Sequence, residues 1–384
     1  MVEATAPGCD QATVYHCDAW VSRTTRYEDE LLQQAQKTLL PRANTTCPTV
    51  GGATLRYIPV PVQRGSSFAR LSEYHRAILG AALAKKPIDA SVVHAHVGLP
   101  SGWAALHHAR PDARFFVTEH ATFLDRILAE PDARIMYDKV LHRCDALFAV
   151  GEGLRQLLIE AFPHHRDRIR IVPNPISFEI PRPEPVTQLR RWLFVGGLIP
   201  RKGVQWLLEA FAECYADDPK LTLSLVGEGA LADSLKERAV ELGVDQAVFF
   251  RGAVSPDEAL RLMREHDLLV HPSRLETFGM TIVEAIAAGM PVLVTRCGGP
   301  EETLAGIEKE AGELIPVEDN ADSIVAGYRR LRARFPDGVD LERARRVLAE
   351  KYGYPAVARA HHSAWFLSVP NDAPAKPGLV GGAI

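Results

Sequence analysis

The sequence predicts an α/β protein in which two doubly wound parallel-sheet domains face each other across a cleft. Apolar runs typical of buried strands alternate with helical stretches in two successive series along the chain. A proline-rich segment separates the two series and is typical of an interdomain linker. We therefore predict an N-terminal domain, a linker, a C-terminal domain, a helix that crosses back to the N-terminal domain and a disordered tail, at residues 1–178, 179–190, 191–350, 351–367 and 368–384.

The first series becomes regular only after its first ninety residues. Before that point we expect strands at 13–17 and 53–59 and a helix at 28–40. The later strands are predicted at 91–96, 113–118, 145–150 and 168–172, with helices at 68–85, from about 101 to 108, 133–143 and 152–162. Their continuous apolar runs suit strands that are buried on both faces.

The second series contains six predicted strands, at 192–195, 221–226, 247–250, 268–270, 291–295 and 313–315. Between the fourth and fifth strands we expect a helix over 279–288, ended by Gly289 as a left-handed cap and by Pro291. A last helix is predicted over 354–366.

Composition narrows the class of protein. The 384 residues are 47% hydrophobic and 24% charged, as is typical of a globular chain. A net charge of −4 argues against nucleic acid as the main partner. No apolar run reaches membrane-spanning length, so we expect at most peripheral membrane contact, and the scattered cysteines favour a reducing, cytoplasmic location. The six cysteines form no C-x-x-C pair, which argues against a disulfide framework or a metal site.

Two carboxylates mark the helix predicted over 279–288. Glu276 precedes it and Glu284 lies within it. The first backbone N–H groups of a helix are unpaired, and the helix dipole favours an anion there. A phosphate at this point would lie between two carboxylates suited to accept hydrogen bonds from sugar hydroxyls, although a helix-dipole role on a solvated face is the alternative. We therefore predict a nucleotide-sugar site that includes Phe278, Gly279, Met280 and Thr281.

Three glycine turns follow strands of the second series. The first carries Gly196 and Gly197 and continues to Arg201 and Lys202, two cations that could neutralise a departing diphosphate or could be ordinary surface charge. The other two, at Gly227 and before Val254, are turns that any doubly wound domain of this kind would contain.

These residues resemble the retaining glycosyltransferases of the GT-B fold, family four. Glu276 and Glu284 match the E-x7-E signature of that family. They lie within its longer sequence pattern, HPS-x-x-E-x-F-G-x-x-x-x-E-A-x-A-x-G-x-P-V, which is present throughout. The resemblance extends over about residues 93–367. Members usually begin with a strand, a Gly-Gly loop and a helix, a unit that is either missing or unrecognisable in this sequence, since Gly51-Gly52 precedes a strand. Members often carry arginine where this chain has Gly197, and Arg201 could compensate.

The resemblance also implies roles in the N-terminal domain and a mechanism. It implies that His120 contacts the donor sugar and that Asn174 lies beside the cleft, where a turn role is the alternative. It also implies that the turns at Gly227 and before Val254 help to shape the nucleotide pocket. We expect the side chains of His94 and His96 to point to opposite faces of their strand, so that only one of them points toward the cleft. The implied reaction retains anomeric configuration by front-face attack, with His120, Arg201, Lys202 and Glu276 as catalytic residues and without metal or cofactor.

Other functions fit the same residues. A nucleotide-sugar epimerase or hydrolase would need an acid/base pair in the cleft, a phosphorylase a lysine-bound pyridoxal phosphate, and a sugar-nucleotide-binding protein no catalysis at all. The sequence leaves open the acceptor, the choice between UDP and GDP, and the oligomeric state.

Overall fold

The computed structural model describes residues 1–22 and 46–366, which form three sheets. The N-terminal part contains a three-stranded and a four-stranded sheet, and the C-terminal part contains a six-stranded sheet. All strands of the four- and six-stranded sheets run parallel to their neighbours. The prediction of two parallel-sheet α/β domains is therefore confirmed.

The three-stranded sheet differs from the prediction. After helix α1 (Val2–Thr5) the chain forms β1 (Thr13–Ser22), β2 (Thr46–Pro48) and β3 (Thr54–Gln63). The pairing of β1 with β3 continues over ten residue pairs, which makes β1 longer than expected. The short strand β2 runs antiparallel to β3, because a tight turn containing Gly52 reverses the chain between them. The predicted helix at 28–40 lies outside the described residues.

The four-stranded sheet and its connecting helices follow next. In chain order, these elements are α2 (Phe68–Ala82), β4 (Val92–His96), α3 (Trp103–His108), β5 (Arg114–Glu119), α4 (Leu124–Ala129), α5 (Pro131–Arg143), β6 (Ala146–Ala149), α6 (Glu152–Ala161) and β7 (Ile169–Ile171). The strand order in the sheet is β4-β5-β6-β7. Helix α4 was not predicted from the sequence. Its six residues are too few to show a helical period, and Pro131 starts the next helix directly after it.

The strands of the six-stranded sheet alternate along the chain with the helices that connect them. In order, these elements are β8 (Arg191–Val195), α7 (Val204–Asp217), β9 (Thr222–Val226), α8 (Ala232–Glu241), β10 (Val248–Gly252), α9 (Pro256–Glu265), β11 (Leu268–His271), α10 (Met280–Ala287), β12 (Val292–Thr295), α11 (Gly299–Thr303), α12 (Glu308–Ala311) and β13 (Gly312–Ile315). Its strand order is β10-β9-β8-β11-β12-β13. This is the doubly wound order, in which the direction of winding reverses between β8 and β11. Gly289, with φ +85°, ends α10 in the left-handed conformation that the sequence predicts.

Three helices complete the chain: α13 (Asp322–Arg334), α14 (Leu341–Tyr352) and α15 (Tyr354–Phe366). Helix α15 packs on the four-stranded sheet, where Val357 and Trp365 share a buried cluster with Phe116 and Phe148. Among the described helices, none combines the length and apolarity that crossing a bilayer requires. The predicted tail at 368–384 lies outside the described residues, and the other domain bounds remain predictions.

Candidate functional site: a cleft lined by a charged and a histidine cluster

The winding of the six-stranded sheet reverses between its two central strands, β8 and β11. In open α/β sheets, ligands bind beyond the carboxyl ends of strands at this reversal. The turn after β8 carries Arg201 and Lys202, and the loop after β11 carries Glu276. The topology therefore brings these three predicted site residues to the position where a ligand is expected.

Backbone contacts hold the turn and the loop together. The amide nitrogen of Arg274 donates to the carbonyl oxygen of Arg201 at 2.8 Å. Gly203 has φ +66°, and a β-carbon there would lie 2.1 Å from the carbonyl oxygen of Pro272. Because only glycine combines this conformation with so close an approach, the cationic turn is fixed against the Glu276 loop.

Three side chains converge on one oxygen of Glu276. The Nζ atom of Lys202 lies 2.5 Å from Glu276 Oε1, and His271 Nε2 lies 3.0 Å from the same oxygen. Arg201 approaches it to 3.9 Å and donates to the carbonyl oxygen of Leu275 at 2.5 Å. Among the described residues, every recorded side-chain partner of Glu276 binds Oε1. The second oxygen, Oε2, is thus left for another donor.

The cluster combines one fixed negative charge with two positive charges. Burial alone would raise the pKa of Glu276, but the hydrogen bond from His271 and the charges around it hold that pKa at about 2. Burial lowers the pKa of His271, so its imidazole is neutral at pH 7 and donates its Nε2 hydrogen to the carboxylate. Glu276 is therefore ionised at physiological pH, while Arg201 and Lys202 supply an excess of positive charge.

Helix α10 begins beside this cluster. The helix starts at Met280, so the amide groups of 279–281 lie at its positive end. Glu284, one turn further on, is half-buried, and burial raises the pKa of its carboxyl group. The Phe278 ring packs edge-on against Tyr352, with ring centroids 5.1 Å apart. The ring of Phe278 thus belongs to the core, and its backbone leads into the helix start.

The predicted glycine turns lie side by side at the same edge of the sheet. The amide of Gly196 donates to the carbonyl of Val226 at 3.0 Å, and the amide of Gly227 donates to that of Gly252 at 2.8 Å. Gly197 follows directly in the first turn, and Val254 follows Gly252 in the third. These turns therefore form one continuous backbone rim next to Arg201 and Lys202.

The predicted cleft residues of the N-terminal domain contact one another. His120 follows the carboxyl end of β5, and its Nε2 atom lies 2.9 Å from Nδ1 of His96, the last residue of β4. An interaction with the buried side chain of Asn174 raises the pKa of His120 against the larger effect of burial, so the two residues are neighbours. The structure thus groups His96, His120 and Asn174 as predicted neighbours.

The expectation that His94 and His96 present opposite faces is wrong. Their rings stack with centroids 5.1 Å apart, because residues two apart on a strand lie on the same face. The ring centroid of His361 on α15 lies 5.1 Å from that of His94. His94, His96, His120 and His361 therefore form a continuous row, which we call the histidine row.

Every member of the histidine row is uncharged at neutral pH. Burial lowers the pKa of His96 to about 3 and the pKa of both His120 and His361 to about 4. Burial also lowers the pKa of His94 well below its ordinary value. Within the described part of the chain, neither ring nitrogen of His361 has a hydrogen-bond partner. The row is therefore a chain of neutral imidazoles that leads from His120 to the fully buried His361.

Sequence reasoning missed Glu119 as the organiser of this end of the sheet. Glu119 is fully buried and accepts hydrogen bonds from the backbone of Gly98, His120 and Ala121 and from the hydroxyl of Tyr137. Its contacts fix the loops that follow β4 and β5. A carboxylate at the end of an otherwise apolar strand was the available signal, since such a group needs several donors when buried.

The two clusters lie on opposite walls of one cleft. The carboxylate of Glu302 on α11 accepts the amide hydrogen of Glu152, at the start of α6, with distances of 2.7 and 2.9 Å to its two oxygens. A β-carbon on Gly151 would lie 2.8 Å from the carbonyl oxygen of Thr277, next to Glu276. Gly151 follows β6, the strand beside β5, so the contact between domains lies close to both His120 and Glu276.

Two family models match the chain. Glycosyl transferases group 1 matches residues 178–333, and Glycosyltransferase Family 4 matches residues 29–179. A D-inositol 3-phosphate glycosyltransferase from Acidothermus cellulolyticus is 27% identical over 350 residues, which are 82% of this chain and 77% of the relative. An uncharacterized glycosyltransferase from Methanocaldococcus jannaschii is 29% identical over 229 residues, and the match spans 56% of this chain and 57% of that relative.

Solved structures show the same fold at low identity. Sucrose-phosphate synthase from Thermosynechococcus elongatus superposes with a TM-score of 0.69 at 18% identity, covering 92% of this chain and 98% of that one. HepE from Anabaena, in complex with UDP and glucose, superposes with a TM-score of 0.64 at 16% identity, covering 92% and 99%. The chain has the GT-B fold and belongs to the family four, group 1 glycosyltransferases.

Proposed function

We propose that this glycosyltransferase transfers a hexosyl group from a nucleoside-diphosphate sugar to an acceptor hydroxyl, amine or thiol, with retention of anomeric configuration and without a metal ion. The observation that carries the proposal is the convergence of Lys202, Arg201 and His271 on Glu276 beside the start of α10. A diphosphate at the helix start would face two cations and a helix dipole, which is the arrangement that stabilises a leaving group of growing negative charge.

Each residue then has a distinct task. Arg201 and Lys202 stabilise the departing diphosphate, and the amides of 279–281 bind its oxygens. The Oε2 atom of Glu276 accepts from a sugar hydroxyl, and Glu284 accepts from the ribose. His120, held by its hydrogen bond with His96, contacts the sugar from the opposite wall. The leaving phosphate oxygen takes the proton of the acceptor, so no enzymic nucleophile is required.

The comparisons suggest which ligands to test first. HepE is described in complex with UDP and glucose, which favours a UDP-hexose as the first donor. The Acidothermus relative is named for inositol 3-phosphate, so phosphorylated polyols come first among acceptors.

The test is release of nucleoside diphosphate from UDP- and GDP-hexoses, with and without acceptors, in buffer containing EDTA. We expect acceptor-stimulated release, a product of retained configuration by NMR, and unchanged turnover in EDTA. Loss of activity in EDTA with recovery in manganese would contradict metal independence. Release that no acceptor stimulates, together with free sugar as product, would instead identify a hydrolase.

A further inference from the structure

A second cluster of chemically competent side chains lies away from the cleft, on the N-terminal domain. Within the described part of the chain, Asp138, His164 and His165 offer one carboxylate oxygen and two imidazole nitrogens that all lie within 4.8 Å of one another. Asp138 lies on α5, and the two histidines lie in the turn between α6 and β7. Both segments lead into strands, which places the cluster toward the amino-terminal edge of the sheet, opposite the cleft.

We infer that Asp138, His164 and His165 form a binding site for a zinc-type divalent cation. His164 Nε2 and His165 Nε2 lie 2.9 and 3.2 Å from the same oxygen, Asp138 Oδ1. In a tetrahedral site with bonds of about 2.0–2.2 Å, neighbouring ligand atoms are about 3.3 Å apart. The two measured separations are slightly shorter than this value, and the third lies within 4.8 Å, so modest adjustment of the exposed His164 ring would bring all three atoms onto one ion.

The surroundings fix two of the ligands and leave one adaptable. His165 is buried, so the position of its imidazole is fixed by the surrounding side chains. Arg168 donates to the carbonyl oxygens of Leu141, His142 and Cys144 and so ties the turn to the end of α5. His164 is 61% exposed and leaves room for the ion from the solvent side.

A fourth ligand is within reach. His142 follows Asp138 by four residues on α5, so both side chains lie on one face of the helix. Its ring centroid is 6.2 Å from that of His165. One carboxylate and three imidazoles would complete a closed tetrahedral shell, which is typical of structural rather than catalytic zinc. The bound ion would join α5 to the turn before β7 and stabilise the domain.

The test uses the full-length chain treated with chelator and then titrated with ZnCl2 or CoCl2. At zinc one hundred times above Kd, the unfolding equilibrium should shift about a hundredfold toward the folded state, which raises Tm. Bound Co2+ should give the visible absorption of a tetrahedral ion. His164→Ala and Asp138→Asn should each weaken binding by more than the roughly 10- to 100-fold that loss of an outer-shell partner causes.

His16→Ala removes an exposed histidine elsewhere and is the matched control, expected to bind as the unchanged chain does. Because His164 is exposed, its replacement should leave the fold intact without metal. Absence of any Tm shift with zinc would overturn the inference. Equal binding by the unchanged chain and by both ligand variants would overturn it as well, since the ion would then lie elsewhere.

Discussion

The two walls of the cleft differ in how they handle charge. On the C-terminal wall, Lys202 and Arg201 surround an ionised Glu276, whose pKa is held at about 2. On the N-terminal wall, the histidine row is polar but uncharged at pH 7, because burial lowers the pKa of His96 to about 3 and that of His120 to about 4. One wall carries fixed charges, and the other carries neutral donors and acceptors.

This difference matches the two ends of a nucleotide sugar. The diphosphate gains negative charge as its bond to the sugar breaks, so cations placed there stabilise the transition state more than the ground state. The sugar carries no charge and needs hydrogen bonds, which neutral imidazoles supply without attracting the diphosphate. The asymmetry of the walls would therefore orient the donor in the cleft.

The largest effect is expected from lowering the pH, which should destabilise the folded protein through the histidines of the N-terminal wall. The pKa of His96, His120 and His361 is lower in the folded protein than the unfolded value near 6.5. Below pH 6.5 the unfolded chain binds more protons, so the free energy of unfolding falls as pH falls toward 4, by up to about 1.4 kcal/mol per pH unit for each histidine. Urea unfolding between pH 7 and pH 4.5 measures this slope.

The histidine at the far end of the row provides the matched variant. His361 is fully buried without a hydrogen-bond partner among the described residues, so His361→Leu sacrifices no such bond. In this variant, the free energy of unfolding should depend less steeply on pH between 6.5 and 4.5, by the contribution of about one histidine. An unchanged slope would show that His361 does not titrate on unfolding and would remove it from the comparison.

Removal of a cation should affect the C-terminal wall next most strongly. Lys202→Ala deletes a charge that faces the proposed diphosphate and should reduce kcat by about 30- to 1000-fold, equivalent to about 2 to 4 kcal/mol. Arg201→Ala should act in the same direction. Arg274→Ala is the control, because Arg274 lies in the same loop but pairs with the exposed Asp319.

Steady-state kinetics and Tm should be measured together, since Lys202 also pairs with the part-buried Glu276. A kcat of Lys202→Ala close to that of the Arg274→Ala control would identify Lys202 as a structural partner of Glu276 and not as a catalytic cation.

The smallest effect is expected at His120. His120→Asn should weaken binding of the sugar donor by about 0.5 to 1.5 kcal/mol, the net value of one hydrogen bond, and leave affinity for the free diphosphate unchanged. Calorimetric titration with both ligands measures the split. An equal loss for both ligands would mean that His120 shapes the cleft and does not contact the sugar.

The sequence predicted the C-terminal domain better than the N-terminal one, for a physical reason. Strands such as β11 and β12 are buried on both faces and read as apolar runs between glycine turns, so pattern and motif coincide. Strand β1 is largely half-buried or exposed along its length, and its extent depends on pairing with β3, which lies some thirty residues further along the chain.

Site contacts divide in the same way. Glu276 and Lys202 were found because each lies in a recognisable turn, although their 2.5 Å contact joins segments more than seventy residues apart. The histidine row joins β4, β5 and α15, and no local pattern connects His94 with His361. Tertiary contacts of this kind become visible only once the strands are placed side by side.

The most direct test of the account compares Glu276→Gln with Glu284→Gln by calorimetry, using the nucleoside diphosphate and the intact sugar donor. A carboxylate that accepts from a hydroxyl contributes about 1.5 to 3 kcal/mol, and an amide keeps part of it. We predict that Glu284→Gln weakens binding of both ligands, whereas Glu276→Gln leaves diphosphate affinity nearly intact and weakens binding of the donor. Equal effects of both substitutions on both ligands would contradict the assignment of Glu284 to ribose and Glu276 to sugar.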